Sequence, residues 1–455
     1  MPLLPLDAER IEARTPSERD RYADLLRLAA IGFVVVGHWL VGVIRTQDGA
    51  IQVDRLIAVV PATQPLTWLF QVMPLFFLIG GAVNAGSWCR AQESGEPWAV
   101  WLRRRSRRLL RPLLPVLALW LPLTAILRAT PVPEGWVAAA IDNALLPVWF
   151  LAVYLLAIAL VPVTWALHRR FGVGVLVVAV LVTWVVDVVH RAEVPAVGFA
   201  NYLLVWAGAH QVGYLWYEDR LPRAPRAAGG LTAVGVAAFA LLLTVGGYPV
   251  AMVAPGQGIP DNTDPPTVAM WALLTVQLGV VLLLRRPVER WLQRPRVWAP
   301  VVVGGTVTMT VFLWHMTALI LVAAATHPTG LWPEQVTIDA TWWALRPLWL
   351  LLCAVALTGL VLVFRRFEDV ADPVPRAGRL RALAGLAATV TGLGLVLTGG
   401  VYEPDRTGGL PLGPLGLLLV GLGALGVLRP RPDATDDAPD ATDDATDDAT
   451  DDTST

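Results

Sequence analysis

The sequence predicts an all-α protein that crosses a membrane many times, and three observations lead to this fold class. Hydrophobic residues make up 55% of the 455-residue chain and charged residues only 16%. The mean hydropathy of +0.58 is far above that of a soluble globular domain. Apolar runs of about 20 residues, the length of a membrane-spanning helix, recur along nearly the whole chain. We therefore expect a polytopic integral membrane helix bundle.

Hydropathy and helix-breaking residues place about twelve spans along the chain. No small-residue cleavage site follows the first span, so a cleaved signal peptide is not expected. Cys89 and Cys353 are far apart in the sequence, which predicts neither a disulfide framework nor a zinc site. The predicted spans are 23–44, 66–88, 109–128, 146–166, 172–190, 199–217, 229–248, 267–284, 300–324, 344–364, 381–400 and 409–428.

The distribution of arginine predicts how these spans are oriented. The chain has 35 basic residues, and all of them are arginine. Positively charged residues stay on the cytoplasmic side, and a cytoplasmic N-terminus leaves about 29 of the 35 on that side. We therefore expect a multi-pass protein of the inner (plasma) membrane with both termini in the cytoplasm. The six exceptions, in outer loops or at outer helix ends, are Arg45, Arg55, Arg128, Arg191, Arg346 and Arg406.

Composition divides the chain into four segments. Residues 1–20 are polar and cytoplasmic, residues 21–365 contain ten of the spans, and residues 366–430 contain two additional spans. Residues 431–455 repeat the motif Ala-Thr-Asp-Asp and contain almost no apolar side chains. Such a segment cannot bury a core, so we expect a disordered, solvated acidic tail. A role of the tail in partner binding is the alternative.

The first span, "DLLRLAAIGFVVVGHWL" (24–40), contains polar groups that a lipid-facing helix would avoid. His38 lies about 22 Å from the start of the helix, beyond the middle of a core about 30 Å thick. Arg27 lies about three helical turns before it, so the two side chains share one face with Asp24. Ionisable residues inside a membrane are costly and usually functional. The alternatives are a packing histidine and an arginine that extends to the lipid headgroups.

Five motifs in this sequence, taken in order, resemble those of the acyltransferase-3 family of integral membrane acyltransferases. The first is an arginine and a histidine with ten residues between them on the first helix, Arg27 and His38. In the last motif, Phe312 stands where the family usually has tyrosine. The other four motifs are "PLFFLIGGAVNAGSW" (74–88), "WLRRRSRRLLRPLLP" (101–115), "VWFLAVYLLAIALVP" (148–162) and "MTVFLWHMTALIL" (309–321).

The resemblance covers about residues 20–365 and implies a ten-helix acyltransferase core, with about two extra C-terminal helices. It implies transfer of an acyl group, most simply acetyl, from cytoplasmic acyl-CoA to a hydroxyl or amine. The implied acceptors are an envelope glycan, a glycolipid or a secondary metabolite. Membrane lipid is a further expected partner, whereas nucleic acid and a metal cofactor are not expected. The sequence leaves the acceptor, the acyl chain length and the oligomeric state open.

Residue chemistry and the resemblance together select the candidate catalytic residues. Acyl transfer to a hydroxyl needs a base, and histidine exchanges protons at neutral pH, which favours His38. Arg27 would orient the polar face of its helix or hold part of the donor. The family match adds His315, for which helix packing is the alternative. The candidates for the substrate cavity are Asn84, Trp149, His210 and Gln211.

The densest positive charge of the chain lies before the third predicted span. Arg104, Arg107, Arg108 and Arg111 follow helical spacing on one face. Arginine binds phosphate well, and coenzyme A carries several phosphate charges, so we expect Arg104, Arg108 and Arg111 to bind acyl-CoA. The alternative is a basic stop signal against anionic lipid headgroups. Three other histidines, His168, His190 and His327, are expected to be solvated.

Two other classes of protein share some of these features. Twelve spans with buried polar residues also suit a transporter or flippase of a glycan or lipid precursor. Transport would predict two similar halves with helices broken at matching positions, and the sequence has no such symmetry. A structural membrane scaffold would leave the polar face of the first helix and the arginine row unexplained. The sequence therefore favours a membrane-bound acyltransferase.

Overall fold

A computed structural model describes residues 8–47, 50–192, 194–254, 256, 258–332, 338–368, 378–402, 405 and 409–428. The acidic tail and Arg406 lie outside these residues, and so does the side chain of Arg45. The chain is 78% helical, which confirms the all-α membrane bundle. The helices are α1 (Ala8–Ala13), α2 (Arg21–Val41), α3 (Leu56–Val59), α4 (Thr67–Phe70), α5 (Met73–Glu93), α6 (Trp98–Leu110), α7 (Leu113–Arg128), α8 (Glu134–Leu145), α9 (Val148–Ala159), α10 (Val161–Phe171), α11 (Gly174–Arg191), α12 (Ala200–Tyr217), α13 (Pro225–Thr244), α14 (Val268–Leu292), α15 (Pro295–Gly305), α16 (Thr308–Thr326), α17 (Ala340–Phe364), α18 (Arg379–Gly399) and α19 (Leu412–Ala424).

Each of the twelve predicted spans contains a helix, but not all of these helices are long and apolar enough to cross a membrane. In the part of the chain that the structure describes, nine helical stretches meet that standard, or ten if the bent pair α6 and α7 forms one span. Helix α12 carries Asn201, His210 and Gln211, which lower its hydropathy, and α19 has only 13 residues. Polar side chains buried against protein rather than lipid explain why α12 departs from the usual composition.

The helices divide into a central group and a peripheral group. In the most apolar stretch of the segment that contains α5, 72% of the residues are buried, and the same holds for the segment from α8 to α10. In α13 and α17 only 17% of the corresponding residues are buried. A helix that is apolar all round is stable in the centre of a bundle or in lipid. The outer helices therefore present apolar side chains where lipid would lie.

A two-stranded hairpin follows the first spanning helix, a feature that the sequence did not predict. Strands β1 (Gly42–Gln47) and β2 (Ala50–Arg55) are antiparallel, and Ile44 pairs with Val53. β-Branched residues favour strands over helices. Val43 is fully buried with Leu56 and Trp342, so the hairpin is packed against α17. This packing ends α2 three residues before the predicted end of the span.

Proline and glycine break several predicted spans into shorter helices. Pro112 lies between α6 and α7, which meet at an angle of 50°. Pro147 and Pro162 separate α9 from α8 and α10. Proline lacks the N–H that a helix interior needs. The predicted span 300–324 is likewise divided after Gly305. Its first part belongs to the short helix α15, and its second part forms the long helix α16.

Helices α5 and α12 approach each other closely because two glycines lie at their contact. A Cβ atom added at Gly81 would overlap the carbonyl group of His210, and one at Gly213 would overlap that of Leu78. Small residues at such contacts let helix backbones approach in a membrane. The close approach places the polar residues of α12 against those of α5.

We predict that Gly81→Ala destabilises the protein, because neither backbone can move without separating α5 from α12. Overpacking of this kind costs about 1–3 kcal/mol. Gly32→Ala is the matched control, because a Cβ atom at Gly32 on α2 would have no atom within 4 Å. Thermal denaturation of both variants in the same detergent measures the difference. Equal melting temperatures would contradict the close contact.

Candidate active site

Two histidines from different helices meet in the interior of the bundle. His38 of α2 and His315 of α16 lie with Nδ1 and Nε2 2.7 Å apart. Their rings are nearly parallel, at an interplanar angle of 6°. The Trp39 indole N–H also donates to the His315 carbonyl at 2.9 Å, which fixes the two helices against each other. The structure therefore brings together the two histidines that sequence reasoning selected.

The hydrogen bonds of the pair determine which ring nitrogens carry protons. His315 Nδ1 lies 2.5 Å from the carbonyl oxygen of Phe312, which can only accept. In a neutral ring the His315 Nε2 atom then holds a lone pair, so His38 Nδ1 donates to it. The His38 Nε2 atom is left with its own lone pair. This arrangement gives His38 a free basic nitrogen and holds its ring in place.

His38 lines a cavity of about 490 Å³, which we call the His38 cavity. Its walls come from α2, the β-hairpin, α8, α16 and α17. Burial lowers the pKa of His327, which lies at the far end of α16. Polar and aromatic side chains on the walls could contact a polar substrate: Asp54, Arg55, Trp136, Asp142, Asn143, His327 and Trp349.

A second cavity of about 520 Å³ lies at the other end of α2, around Arg27. Arg105 and Arg108 of α6 also line it, and Glu368 is the one acidic residue among the described residues that line it. We call it the basic cavity. Three arginines against one carboxylate make this space suitable for an anion, since guanidinium groups bind phosphate through several fixed donors.

Glu368 caps the helix that carries His315. Its carboxylate accepts hydrogen bonds from the backbone N–H groups of Met309 and Thr310 at 2.9 Å and from the Thr310 hydroxyl at 2.7 Å. A negative charge at a helix N-terminus is favourable because it meets unpaired N–H groups. Burial raises the pKa of Glu368 above its ordinary value, and these hydrogen bonds offset only part of the rise. The cap fixes the start of α16 at the edge of the basic cavity.

A buried amide joins the basic cavity to α12. The Asn84 Oδ1 atom accepts a hydrogen bond from Arg105, and its Nδ2 atom lies 3.0 Å from His210 Nε2. The same amide nitrogen lies 3.4 Å from the Tyr154 hydroxyl, which lines the basic cavity. Buried polar groups are costly unless they are paired. Asn84 and His210 thus form the second layer of the cavity wall.

Aromatic rings in edge-to-face and tilted contacts occupy the space between the basic cavity and the histidine pair. Phe76 lines the basic cavity, and its ring centroid lies 5.1 Å from that of Phe150. Phe150 contacts Phe312 at 5.3 Å, and Phe312 contacts His315 at 5.9 Å. Since Met309 lines the basic cavity, His315 lies only about 9 Å further along α16. The two cavities are therefore close neighbours on one helix.

The arginine row does not form a single face. Arg108 lines the basic cavity, whereas Arg104 lies outside its lining and pairs with Glu96 at 2.7 Å. Arg107 is buried, and Arg111 is the C-cap of α6 at the bend before α7. Arg105, which sequence reasoning did not select, lines the cavity. The bend and the packing of α6 against other helices decide which arginines face the cavity.

The remaining predicted residues take other positions. Trp149 packs against Trp206, with ring centroids 6.1 Å apart, outside the lining of both cavities. Gln211 is buried, and its Nε2 atom has no hydrogen-bond partner among the described residues. The prediction that His168 is solvated is wrong, because its ring is buried and lies 3.1 Å from Glu218. His327 is half-buried at the end of α16 and lines the His38 cavity, so its solvation stays a prediction.

Sequence reasoning also missed Tyr154, Glu368 and the polar wall of the His38 cavity. Tyr154 lies within the fourth family-like motif, "VWFLAVYLLAIALVP", so a polar group in an otherwise apolar helix was its only signal. Glu368 lies just beyond the last core helix and gave no periodic signal. Asp142 and Asn143 precede a proline break and resemble ordinary loop residues in sequence.

The fold and these two cavities define a multi-pass membrane protein with a buried histidine pair. Residues 20–366 match the family described as an acyltransferase domain, which covers most of the chain. The chain therefore belongs to the acyltransferase-3 family, and the family assignment made from the motifs is confirmed. Comparisons with curated proteins and with solved structures gave no match.

We predict that Asn84→Leu destabilises the protein by about 1–3 kcal/mol, because it leaves Arg105 and His210 buried without this partner. Gln211→Leu is the matched control on the facing helix. It removes an amide whose Nε2 atom has no partner, so we expect little loss or a small gain. Melting temperatures in one detergent compare the two variants. A greater loss for Gln211→Leu would contradict the proposed wall.

Proposed function

We propose that this acyltransferase moves an acyl group, most simply acetyl, from acyl-CoA to a hydroxyl or amine of an envelope glycan, glycolipid or secondary metabolite. The observation that carries the proposal is the position of the His38–His315 pair between two cavities of different character. A basic cavity suits an anionic donor, and a cavity with polar and aromatic walls suits a polar acceptor. The histidine pair lies where the two substrates would meet.

In this proposal the basic cavity opens to the cytoplasm and holds the phosphates of acyl-CoA with Arg27, Arg105 and Arg108. Cytoplasmic termini and an inner-membrane location accord with the arginine distribution along the chain. The pantetheine arm would pass the rings of Phe76, Phe150 and Phe312. Its thioester would then reach the histidine pair, which lies a short distance along α16.

His38 is the proposed general base for acceptor activation. Its Nε2 atom takes the proton of the acceptor hydroxyl as the oxygen attacks the thioester carbonyl carbon. The bond between that carbon and the sulfur then breaks, and the leaving thiolate takes a proton from the His38 imidazolium. His315 accepts the Nδ1–H hydrogen bond of His38 and so orients the ring throughout. The outcome is an O-acylated acceptor and free CoA.

Replacing His38 with alanine tests the proposed base. We expect a loss of at least about 100-fold in kcat, within the range that general base catalysis contributes. His315→Ala should lower kcat less, because the base remains but loses its orientation. His190→Ala is a control, since His190 lines neither cavity. Acyl transfer from radiolabelled acyl-CoA is measured at equal membrane levels of each variant. Activity of His38→Ala close to that of the wild type would refute the mechanism.

The arginines of α6 provide a matched pair for the donor site. Arg108→Gln should raise the donor KM about tenfold, because a charge-assisted contact at an exposed position is lost. The effect should be smaller at high salt, where the attraction is already screened. Arg104→Gln should leave the donor KM nearly unchanged, because Arg104 pairs with Glu96. Equal donor KM values for the two variants would show that the basic cavity does not bind the donor.

A further inference from the structure

The last two helices lie beyond the residues that match the family. Helices α18 and α19 pack against each other, and α18 packs against α6 and α9 of the core. At one end, the Arg103 Nε atom of α6 donates to the Leu425 carbonyl at 3.3 Å. Both residues are fully buried. The extra hairpin is therefore joined to the helix that carries the arginines of the basic cavity.

The other end of the same hairpin contacts α8. The Val401 backbone N–H donates to Asp142 Oδ1 at 3.1 Å, and the Tyr402 hydroxyl donates to Glu134 Oε1 at 2.8 Å. Asp142 and Glu134 lie eight residues apart, which is about 12 Å along the axis of α8. Two hydrogen bonds near opposite ends of a short helix fix both its position and its tilt.

Helix α8 is a separate unit that forms a wall of the His38 cavity. Pro133 precedes it and Pro147 follows it, so its backbone hydrogen bonds do not continue into α7 or α9. Only four of its residues are buried: Val137, Ile141, Ala144 and Leu145. Its other side faces the cavity with Gly135, Trp136, Ala139, Ala140, Asp142 and Asn143. The position of α8 therefore sets the width of this cavity.

We propose that the C-terminal hairpin clamps α8 and so sets the acceptor specificity of the enzyme. Glu134 and Tyr402 are positioning residues, since neither lines the His38 cavity or the basic cavity and both act through the placement of α8. The clamp rests on the contacts of Val401 and Tyr402, and its effect on the acceptor rests on the proposed function. A chain with this hairpin holds its acceptor cavity at one width, and loosening the hairpin weakens binding of the acceptor that fits this width.

The test uses the full-length protein in nanodiscs and two readouts. In Tyr402→Phe and in Glu134→Ala, we expect amide hydrogen exchange in residues 134–145 to rise about fivefold, the factor that one hydrogen bond of ordinary strength contributes. Exchange in α16 should not change. The double variant should show no further increase, because both changes remove the same bond. Glu134→Gln keeps the Oε1 acceptor and should behave as the wild type.

The second readout is the KM of each substrate. The acceptor KM should rise by a similar factor in Tyr402→Phe and Glu134→Ala, with the donor KM unchanged, and Glu134→Gln should restore it. Unchanged exchange in α8 would overturn the clamp. Faster exchange with an unchanged acceptor KM would overturn its role in specificity. Absence of acyl transfer in the wild type would refute the proposed function, and the exchange data would still decide the clamp.

Discussion

The hydrogen bond between His38 and His315 is the contact on which the arrangement of the site depends. It joins the first spanning helix to α16 in the interior of the bundle, at the edge of the His38 cavity. The bond requires that α2 and α16 lie side by side, and it places one cavity toward each end of this helix pair. The Phe312 carbonyl fixes the tautomer of His315, which in turn leaves His38 with a free lone pair. The same hydrogen bonds thus hold α2 against α16 and leave His38 with its basic nitrogen.

A bundle in lipid must pair its polar groups internally, and the inner half of this protein does so around the basic cavity. Asn84 forms hydrogen bonds with Arg105, His210 and Tyr154, and Glu368 caps α16. The glycine contact between α5 and α12 makes this pairing possible, because it brings the two backbones together. Arg105, which lines the basic cavity, is thus held by a hydrogen bond to the neutral amide of Asn84.

The C-terminal helices extend the family core in a way that bears on both cavities. Their hairpin reaches Arg103 on the arginine-bearing helix at one end and α8 at the other. The core arrangement of α2 and α16 is complete without them. In our proposal the hairpin acts on the acceptor through the wall that α8 forms, and it leaves the histidine pair in place. This offers a physical route by which members of one family could differ in acceptor.

The sequence by itself determined the membrane fold and the helical segments, and it selected Arg27, His38 and His315 as candidate site residues. These follow from hydropathy, from the cost of polar groups in lipid and from ordered motifs, all of which are local in the chain. Tertiary structure decided which arginines line the basic cavity. The chain bends at Pro112, and Arg103 and Arg107 are buried against other helices. Helical spacing alone does not show this orientation of α6. Tertiary structure also decided that Glu368 and Asp142 belong to the sites. Their partners lie 58 or more residues away, and contacts over such separations leave no periodic signal in a single sequence.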